Sequence, residues 1–310
     1  MRQLRSMDGV FAYQYTPAAR LRVSDEDSAD FLQSQFSNDL RPFEAGQAVY
    51  GLWLDVKGKV VADSWVLCEG EEAFTVISER CSAETIAEKL ERHIIADDVE
   101  IETLDSGSAI ALVGGNASKA LEVLNLTVPD VGRFTAVEDG VCFVGRRSTS
   151  PSYELIFSDS SDAQVVVERL QEHGVEFVSE EWIQRQRMDA GVPLVPIEVG
   201  PADLPGEGGF VEDAVSLNKG CYLGQEVVAR MHNVGQARRG LYLINGAGDR
   251  PVVPASLLTA DGKNGGELRS VVSAEGGWCG VAMLKIRSAG DTLTLESGGP
   301  IEVVRPLRNQ

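Results

Sequence analysis

Between Asn218 and Arg230 the chain reads NKGCYLGQEVVAR, a run that packs a thiol, an amine, an amide and an acid into less than four helical turns. Cys221 stands between Gly220 and Gly224, with Lys219 and Gly220 before it and Tyr222, Gln225 and Glu226 after it. If a helix begins at Cys221 or Tyr222, the thiol lies beside unsatisfied backbone N–H groups at the positive end of the helix dipole, and both favour thiolate over thiol. Lys219 adds a nearby positive charge. Cys221 and Gln225 then share a face at i, i+4, which puts an amide beside the sulfur. Glu226 and Arg230 stand in the same relation with the acid first, the favourable order for a structural ion pair. Two readings remain open at this point: a reactive or ligand-contacting thiol, or a tight strand-to-helix corner in which Cys221 is a small buried side chain.

The other chemistry-bearing residues narrow the field. Cys68, Cys81, Cys142 and Cys279 lie in or beside apolar segments, where a buried structural thiol is expected. Five scattered cysteines with no C-x-x-C pair point away from a disulfide framework or a preformed zinc site. His232 would stand roughly 16 Å from Cys221 along a helix, out of reach as its base. His93 and His173 fall on charged helix faces, and neither G-x-S-x-G nor H-E-x-x-H occurs, so hydrolase readings lose their support. Gly114-Gly115-Asn116 lacks the dinucleotide and Walker spacings and reads as a helix-entry turn.

With 310 residues, 43% of them hydrophobic, the chain can bury a large core. Its formal charge of -19 repels phosphate backbones and anionic membranes, which argues against nucleic-acid binding over a broad surface. Arg230, Arg238 and Arg239 form one small basic group and Arg185 with Arg187 another; a solvated face is the plain expectation for each. No apolar run is long enough to span a bilayer, and MRQLRSMDGVFAYQYTP lacks the apolar centre of a secretory signal, so the expected location is cytoplasmic.

The elements that must position these residues are legible from periodicity. Leu21–Val23 reads as a strand running into a helix capped by Ser24, with Phe31, Leu32 and Phe36 on its buried face. QAVYGLWLDVKGKVVADSWVLCE reads as a hairpin turning at Lys57-Gly58, and AFTVIS as a third strand. Ser82 caps a helix whose Ile86, Leu90 and Ile94 make a buried stripe. Strand-to-helix units recur at SAIALVGGNASKALEVL and at YELIFSDSSDAQVVVERLQEHGVEFV, the latter capped by Ser161 and stopped at Gly174. Ser179 caps a further helix that stops at Gly191. The Pro- and Gly-rich VPLVPIEVGPADLPGEGG predicts a long irregular loop of the kind that carries function. From about Ala237 short strands separated by turns predict a small β-barrel. The expected division is residues 1–236, an α+β domain of two subdomains, and 237–310, the barrel.

KGCYLGQEVVAR resembles the K-G-C-Y-x-G-Q-E motif of the YgfZ family, folate-binding relatives of the glycine-cleavage T-protein, an aminomethyltransferase. FLQSQFSNDL, LDVKGKVVAD, RMDAGVPL, LPGEGG and GQARRGLYL extend the resemblance over nearly the whole chain. It implies an α+β fold, an aminomethyltransferase-like ring of ferredoxin-like subdomains with a C-terminal β-barrel around a central folate pocket. It implies tetrahydrofolate or a reduced folate derivative as cofactor and iron–sulfur client or assembly proteins as partners, in support of cluster assembly or repair and thereby of cluster-dependent tRNA modification.

The resemblance also assigns site residues. Cys221 and Lys219 carry the chemistry, with Gly220, Tyr222, Gly224, Gln225, Glu226 and Arg230 completing the motif. Asp189, an acid one methylene shorter than the T-protein's pterin-holding glutamate, is the expected pterin acceptor, with Arg187, Asp63 and Glu207 of the LPGEGG loop around the folate. Asp63 lines up with one of the T-protein's acidic pair, while Ala62 stands where the relatives have the second acid. Two alternatives stay open: a folate-dependent aminomethyltransferase or one-carbon transferase, and a non-catalytic adaptor in which the motif is a docking surface.

Overall fold

The computed structural model describes residues 9–233, 235 and 237–308. The chain starts with β1 (Phe11–Tyr15), β2 (Ala19–Ser24), α1 (Ser28–Gln35), β3 (Gln47–Leu54), β4 (Val60–Gly70), β5 (Ala73–Ser78), α2 (Ala83–Glu91) and β6 (Glu100–Thr103). It continues through β7 (Ser108–Val113), α3 (Ala117–Val123), β8 (Phe134–Val137), β9 (Gly140–Val144), β10 (Ser152–Phe157), α4 (Ser160–Glu172), β11 (Glu176–Phe177) and α5 (Glu180–Asp189). An irregular stretch leads to α6 (Gln225–Asn233). The chain closes with β12 (Arg239–Ala247), β13 (Ala255–Thr259), β14 (Asn264–Ala274), β15 (Gly277–Lys285), β16 (Leu293–Leu295) and β17 (Pro300–Pro306).

These strands make a five-stranded sheet, β3-β4-β5-β2-β6, a six-stranded sheet, β11-β1-β7-β10-β9-β8, and a closed barrel, β12-β15-β14-β13-β16-β17. The fold is α+β with a six-stranded C-terminal barrel, as expected. Closing the barrel leaves no free edge among its strands. Its inner core is built around Trp278, Ile244, Leu257, Leu268 and Leu284. Its outer residues Leu241, Leu243, Val272, Val281 and Met283 belong to the same apolar cluster as Leu52, Trp53 and Phe74 of the five-stranded sheet. The barrel therefore shares a core with the five-stranded sheet. Gln236, at the expected domain boundary, lies outside the described residues.

Most local signals act as read. The Lys57-Gly58 turn joins β3 to β4, with Gly58 at φ 71° and the Asp55 carboxylate accepting from the backbone N–H groups of Lys57 and Lys59, each at 2.8 Å. Ser82 Oγ accepts from the Thr85 N–H and Ser179 Oγ from the Trp182 N–H, so both serines are true caps. Gly114 turns β7 into α3. Two caps are displaced. Ser24 ends β2 instead of starting a helix; Asp25 turns the chain at φ 95°, and α1 begins four residues later, after Asp27. Ser161 lies inside α4, where the carboxylate of Asp159 accepts from the Ser161 N–H and does the capping. At α4 the charged oxygen of Asp159 is at least as good an acceptor as a hydroxyl; at α1 Asp27 holds the N-cap position without a side-chain cap bond, its carboxylate accepting from the Asp98 N–H at 2.8 Å.

Candidate functional site

Where the two sheets and α5 converge there is a cavity of about 80 Å³. β3 and β4 supply Tyr50, Asp63, Ser64 and Trp65; the β9–β10 region supplies Phe143, Arg146, Arg147 and Glu154; α5 supplies Ile183, Gln184 and Arg187. Apolar rings and a few fixed polar groups are the composition of a small-molecule site.

Three polar groupings line it. In the first, the Tyr50 hydroxyl donates to Asp63 at 2.8 Å, the Ser78 hydroxyl at 3.3 Å and the Cys81 thiol at 3.4 Å. Burial raises the pKa of Asp63, the largest influence on it, so this carboxyl holds its proton above the ordinary carboxylate range. Burial also pushes the Cys81 thiol up, and the negative charge of Asp63 adds to that, which makes Cys81 a donor here and a poor nucleophile. In the second, Arg147 grips Glu154 at 2.7 Å and reaches Glu79 at 2.9 Å, while the Tyr15 hydroxyl donates to Glu154 at 2.9 Å. The neighbouring Arg146 lies 3.6 Å over the Tyr50 ring and is paired with Asp213. In the third, Arg187 donates to Gln184 Oε1 and is clamped by Glu198 at 2.6 and 3.0 Å.

The cysteine motif is built elsewhere. Residues 217–224 lie between the end of α1 and the tip of the β3–β4 hairpin, and Cys221 is not among the residues lining the cavity. Lys219 Nζ donates to the carbonyls of Gln33 and Phe36 at 2.7 Å and of Asn38 at 2.8 Å, the three acceptors that the three N–H groups of an ammonium require. Burial pulls its pKa down to about 7, and Lys219 is only 8% exposed. The Leu223 N–H donates to the Ser34 carbonyl at 3.0 Å, and Tyr222, also 8% exposed, joins the main core. Gly224 has φ 83°, and a Cβ there would stand 2.7 Å from the Asp55 carbonyl and 2.9 Å from Gly58 Cα. The corner is thus a lock between α1 and the hairpin. Cys221 is the exposed cysteine; Cys68, Cys81, Cys142 and Cys279 are all buried.

Several expectations need correction. The helix starts at Gln225, not at Cys221 or Tyr222, so the thiol precedes the first turn and does not share a face with Gln225. The Gln225 side chain instead folds back, its Oε1 accepting from the Tyr222 N–H at 3.3 Å. Lys219 points its ammonium at the end of α1, away from the role of a charge beside the sulfur, because the Gln33 carbonyl in the last turn, that of the C-cap residue Phe36 and that of Asn38 just beyond it together are stronger competitors than solvent. Glu226 and Arg230 are both exposed, and among the described residues they form no ion pair. Asp189 is exposed at the end of α5, paired with Arg185 at 3.2 Å, and does not line the cavity. The helix period explains this: Gln184 and Arg187 share the inward face, and Asp189 falls on the outer one. Arg187 is accordingly no solvated residue; it is 4% exposed and does line the cavity. Glu207 is buried away from it, closing its own short turn on the Leu204 N–H at 2.9 Å and pairing with Arg239 at 2.8 Å. Asp63 is the expected folate residue that does reach the cavity together with Arg187.

Sequence reasoning missed Tyr50, Arg146, Arg147, Glu154 and Gln184. Glu154 left a signal. It is a lone acid in the apolar strand SYELIF, whose every residue is buried, and such an acid requires a partner.

The GCVT N-terminal domain family matches residues 4–219. The tRNA-modifying protein YgfZ of Yersinia enterocolitica is 25% identical over 258 residues, covering 83% of this chain and 77% of that protein. A chloroplastic protein of Arabidopsis thaliana that carries a provisional transferase name is 26% identical over 303 residues, 93% of this chain and 68% of that one. The glycine cleavage system aminomethyltransferase T of Bartonella henselae superposes with a TM-score of 0.82 over 97% of this chain and 87% of its own, at 18% identity, a likeness of fold. From the match over 4–219, the shared fold and the relatives' names together, the chain belongs to the GCVT N-terminal domain family, as a YgfZ-like protein on the aminomethyltransferase scaffold.

Proposed function

We propose that this chain is a cytoplasmic, reduced-folate-binding protein of the YgfZ type that supports iron–sulfur cluster assembly or repair, and through it tRNA modification, with Cys221 as the essential side chain. The observation that carries the reading is the contrast among the cysteines: four are buried, and Cys221 alone among them is held out to solvent on a loop locked at both sides. An exposed thiol is a soft ligand and nucleophile that a partner protein can reach. Lys219 serves by building that lock, and Gly220, Tyr222, Gly224 and Gln225 by shaping it.

The cavity supports the cofactor. A pteridine has two flat faces and an edge of alternating donors and acceptors. Trp65 and Phe143 offer ring contacts; Asp63, Glu154 and Gln184 offer partners for the edge. Asp63 and Gln184 would hold the ring, with Arg187 fixing Gln184 from behind. A bound reduced folate would supply the nitrogens that carry one-carbon units. Ala62, fully buried in the core, presents no second acid beside Asp63, which favours a folate-binding role over methylene transfer.

The test is a matched pair of assays in cells lacking this protein, one for a cluster-dependent enzyme and one for tetrahydrofolate-dependent glycine cleavage. The expected result is a loss of the first alone, restored by wild type and not by Cys221→Ala. A loss of glycine cleavage alone, restored equally by Cys221→Ala, would assign the chain to the aminomethyltransferases instead.

A further inference from the structure

Gln184 sits on the cavity wall with its amide orientation determined by what lies behind it. The Arg187 Nε–H can only donate, so the Gln184 atom facing it is the carbonyl oxygen. Arg187 in turn cannot rotate: its two terminal nitrogens are held by Glu198 and its Nη1 also donates to the Val192 carbonyl at 2.9 Å. Glu198 is 0% exposed and takes two further donors, the Leu194 N–H at 2.9 Å and the hydroxyl of Ser270 on β14 of the barrel. The chain Ser270–Glu198–Arg187–Gln184 therefore runs from the barrel through buried groups to the cavity. It leaves the Gln184 NH₂ without a protein acceptor among the described residues, as the group this side chain presents to a ligand.

The other polar groups of the wall are paired among themselves. Asp63, Glu79 and Glu154 bring carboxyl oxygens, while Arg147 is committed to Glu79 and Glu154, Arg146 to Asp213, and Arg80 to Glu79 and Glu180. The hydroxyls of Tyr15, Tyr50 and Ser78 donate to Glu154 and Asp63. Ring N–H and amino groups of a ligand can be met by the acids, and the Gln184 amide is a donor open to a ligand acceptor. The strongest acceptor on a 2-amino-4-oxopteridine is the carbonyl oxygen at position 4.

We propose that Gln184 is a specificity-determining residue that selects a 4-oxopteridine over its 4-amino counterpart, and that Glu198 and Ser270 are positioning residues acting on it through Arg187. This inference rests on the folate reading and goes further than it, in naming what distinguishes one pteridine from another. A 4-amino group would set donor against donor at Gln184, with no rotation of the amide open to relieve it.

The experiment measures the dissociation constants of tetrahydrofolate and tetrahydroaminopterin by calorimetry under anaerobic conditions, for the wild type, Gln184→Glu and Ser270→Ala. Gln184→Glu keeps an acceptor for Arg187 and turns an acceptor to the cavity. The wild type is expected to prefer the 4-oxo ligand by about tenfold or more, Gln184→Glu to abolish or reverse that ratio, and Ser270→Ala to reduce it. Each variant's circular dichroism and urea midpoint establish that it is folded. A ratio unchanged in folded Gln184→Glu overturns the assignment of Gln184, and a ratio unchanged in Ser270→Ala overturns the reach of the chain to the barrel. Binding of neither ligand to the wild type overturns the folate reading itself, and this assignment with it.

Discussion

The ammonium of Lys219 stands 2.7 Å from the carbonyl oxygen of Phe36, a residue 183 positions earlier, just beyond the end of α1. Helix-end carbonyls lack partners within their own helix, and here a lysine from the cysteine motif supplies them. Lys219→Met keeps the length of the side chain and removes every donor. It should lower stability by about 1–3 kcal/mol, read as a fall in the urea midpoint. An unchanged midpoint would mean that the carbonyls find water instead and that the lock is weaker than its geometry.

The two motif glycines predict opposite outcomes. Gly224 has a positive φ and no room for a Cβ against Asp55 and Gly58, whereas nothing lies within 4 Å of a Cβ at Gly220. Gly224→Ala should cost more than about 1 kcal/mol, and Gly220→Ala should stay within about 0.5 kcal/mol. Equal losses in chemical denaturation would show that the hairpin tip does not bear on the loop.

Thiol chemistry checks the surface directly. The native protein should react with a small aromatic disulfide at one thiol in the fast phase, and Cys221→Ser should remove that phase. The remaining four should appear only on unfolding, since burial shields them all and pushes the thiol of Cys142, for one, up to about 12. A fast phase surviving in Cys221→Ser would place a second thiol within reach of solvent.

Asp63 ties the cavity to pH. Burial raises its folded-state pKa above the ordinary 3.8, so between that value and the raised one the folded protein binds more protons than the unfolded chain, and its stability falls as pH rises through that window. Asp63→Asn removes this term. Relative to wild type the variant should gain stability as pH is raised from 4 to 7, measured by urea denaturation at each pH. A difference independent of pH would show that Asp63 is ionised in the folded protein at pH 4.

The corrected site makes its own comparison of acids. Asp63→Asn should weaken binding of a reduced folate by about 1–3 kcal/mol, roughly 5- to 150-fold. Asp189→Asn touches only an exposed pair with Arg185 and should change affinity by less than about twofold. Calorimetry giving the larger loss at Asp189 would restore it to the site.

What could be read from the sequence was whatever neighbours in the chain decide among themselves. The Lys57-Gly58 turn, the caps at Ser82 and Ser179, the stops at Gly174 and Gly191 and the barrel strands after Ala237 all rest on periodicity and local hydrogen bonding, and all are present. Where two local candidates competed for the N-cap position, as Ser24 with Asp27 or Ser161 with Asp159, spacing alone could not choose between residues two or three apart. The singling out of Cys221 among five cysteines also came from its setting in the chain, since the other four lie in apolar strands or beside them.

The direction in which each polar side chain points was decided by the tertiary structure. Lys219 turns inward because the end of α1, far off in sequence, is folded against it. Asp189 turns outward, and Gln184 and Arg187 inward, because α5 packs on the sheets with one face, and a helix carries residues two apart to different faces. The cavity itself belongs to no segment. Asp63 finds Tyr50 across a hairpin, Glu154 finds Tyr15 across 139 residues, and Glu198 finds Ser270 across 72. A buried charged or polar group must be satisfied by whatever the completed fold brings to it, and nothing in its own stretch of chain records which partner that will be.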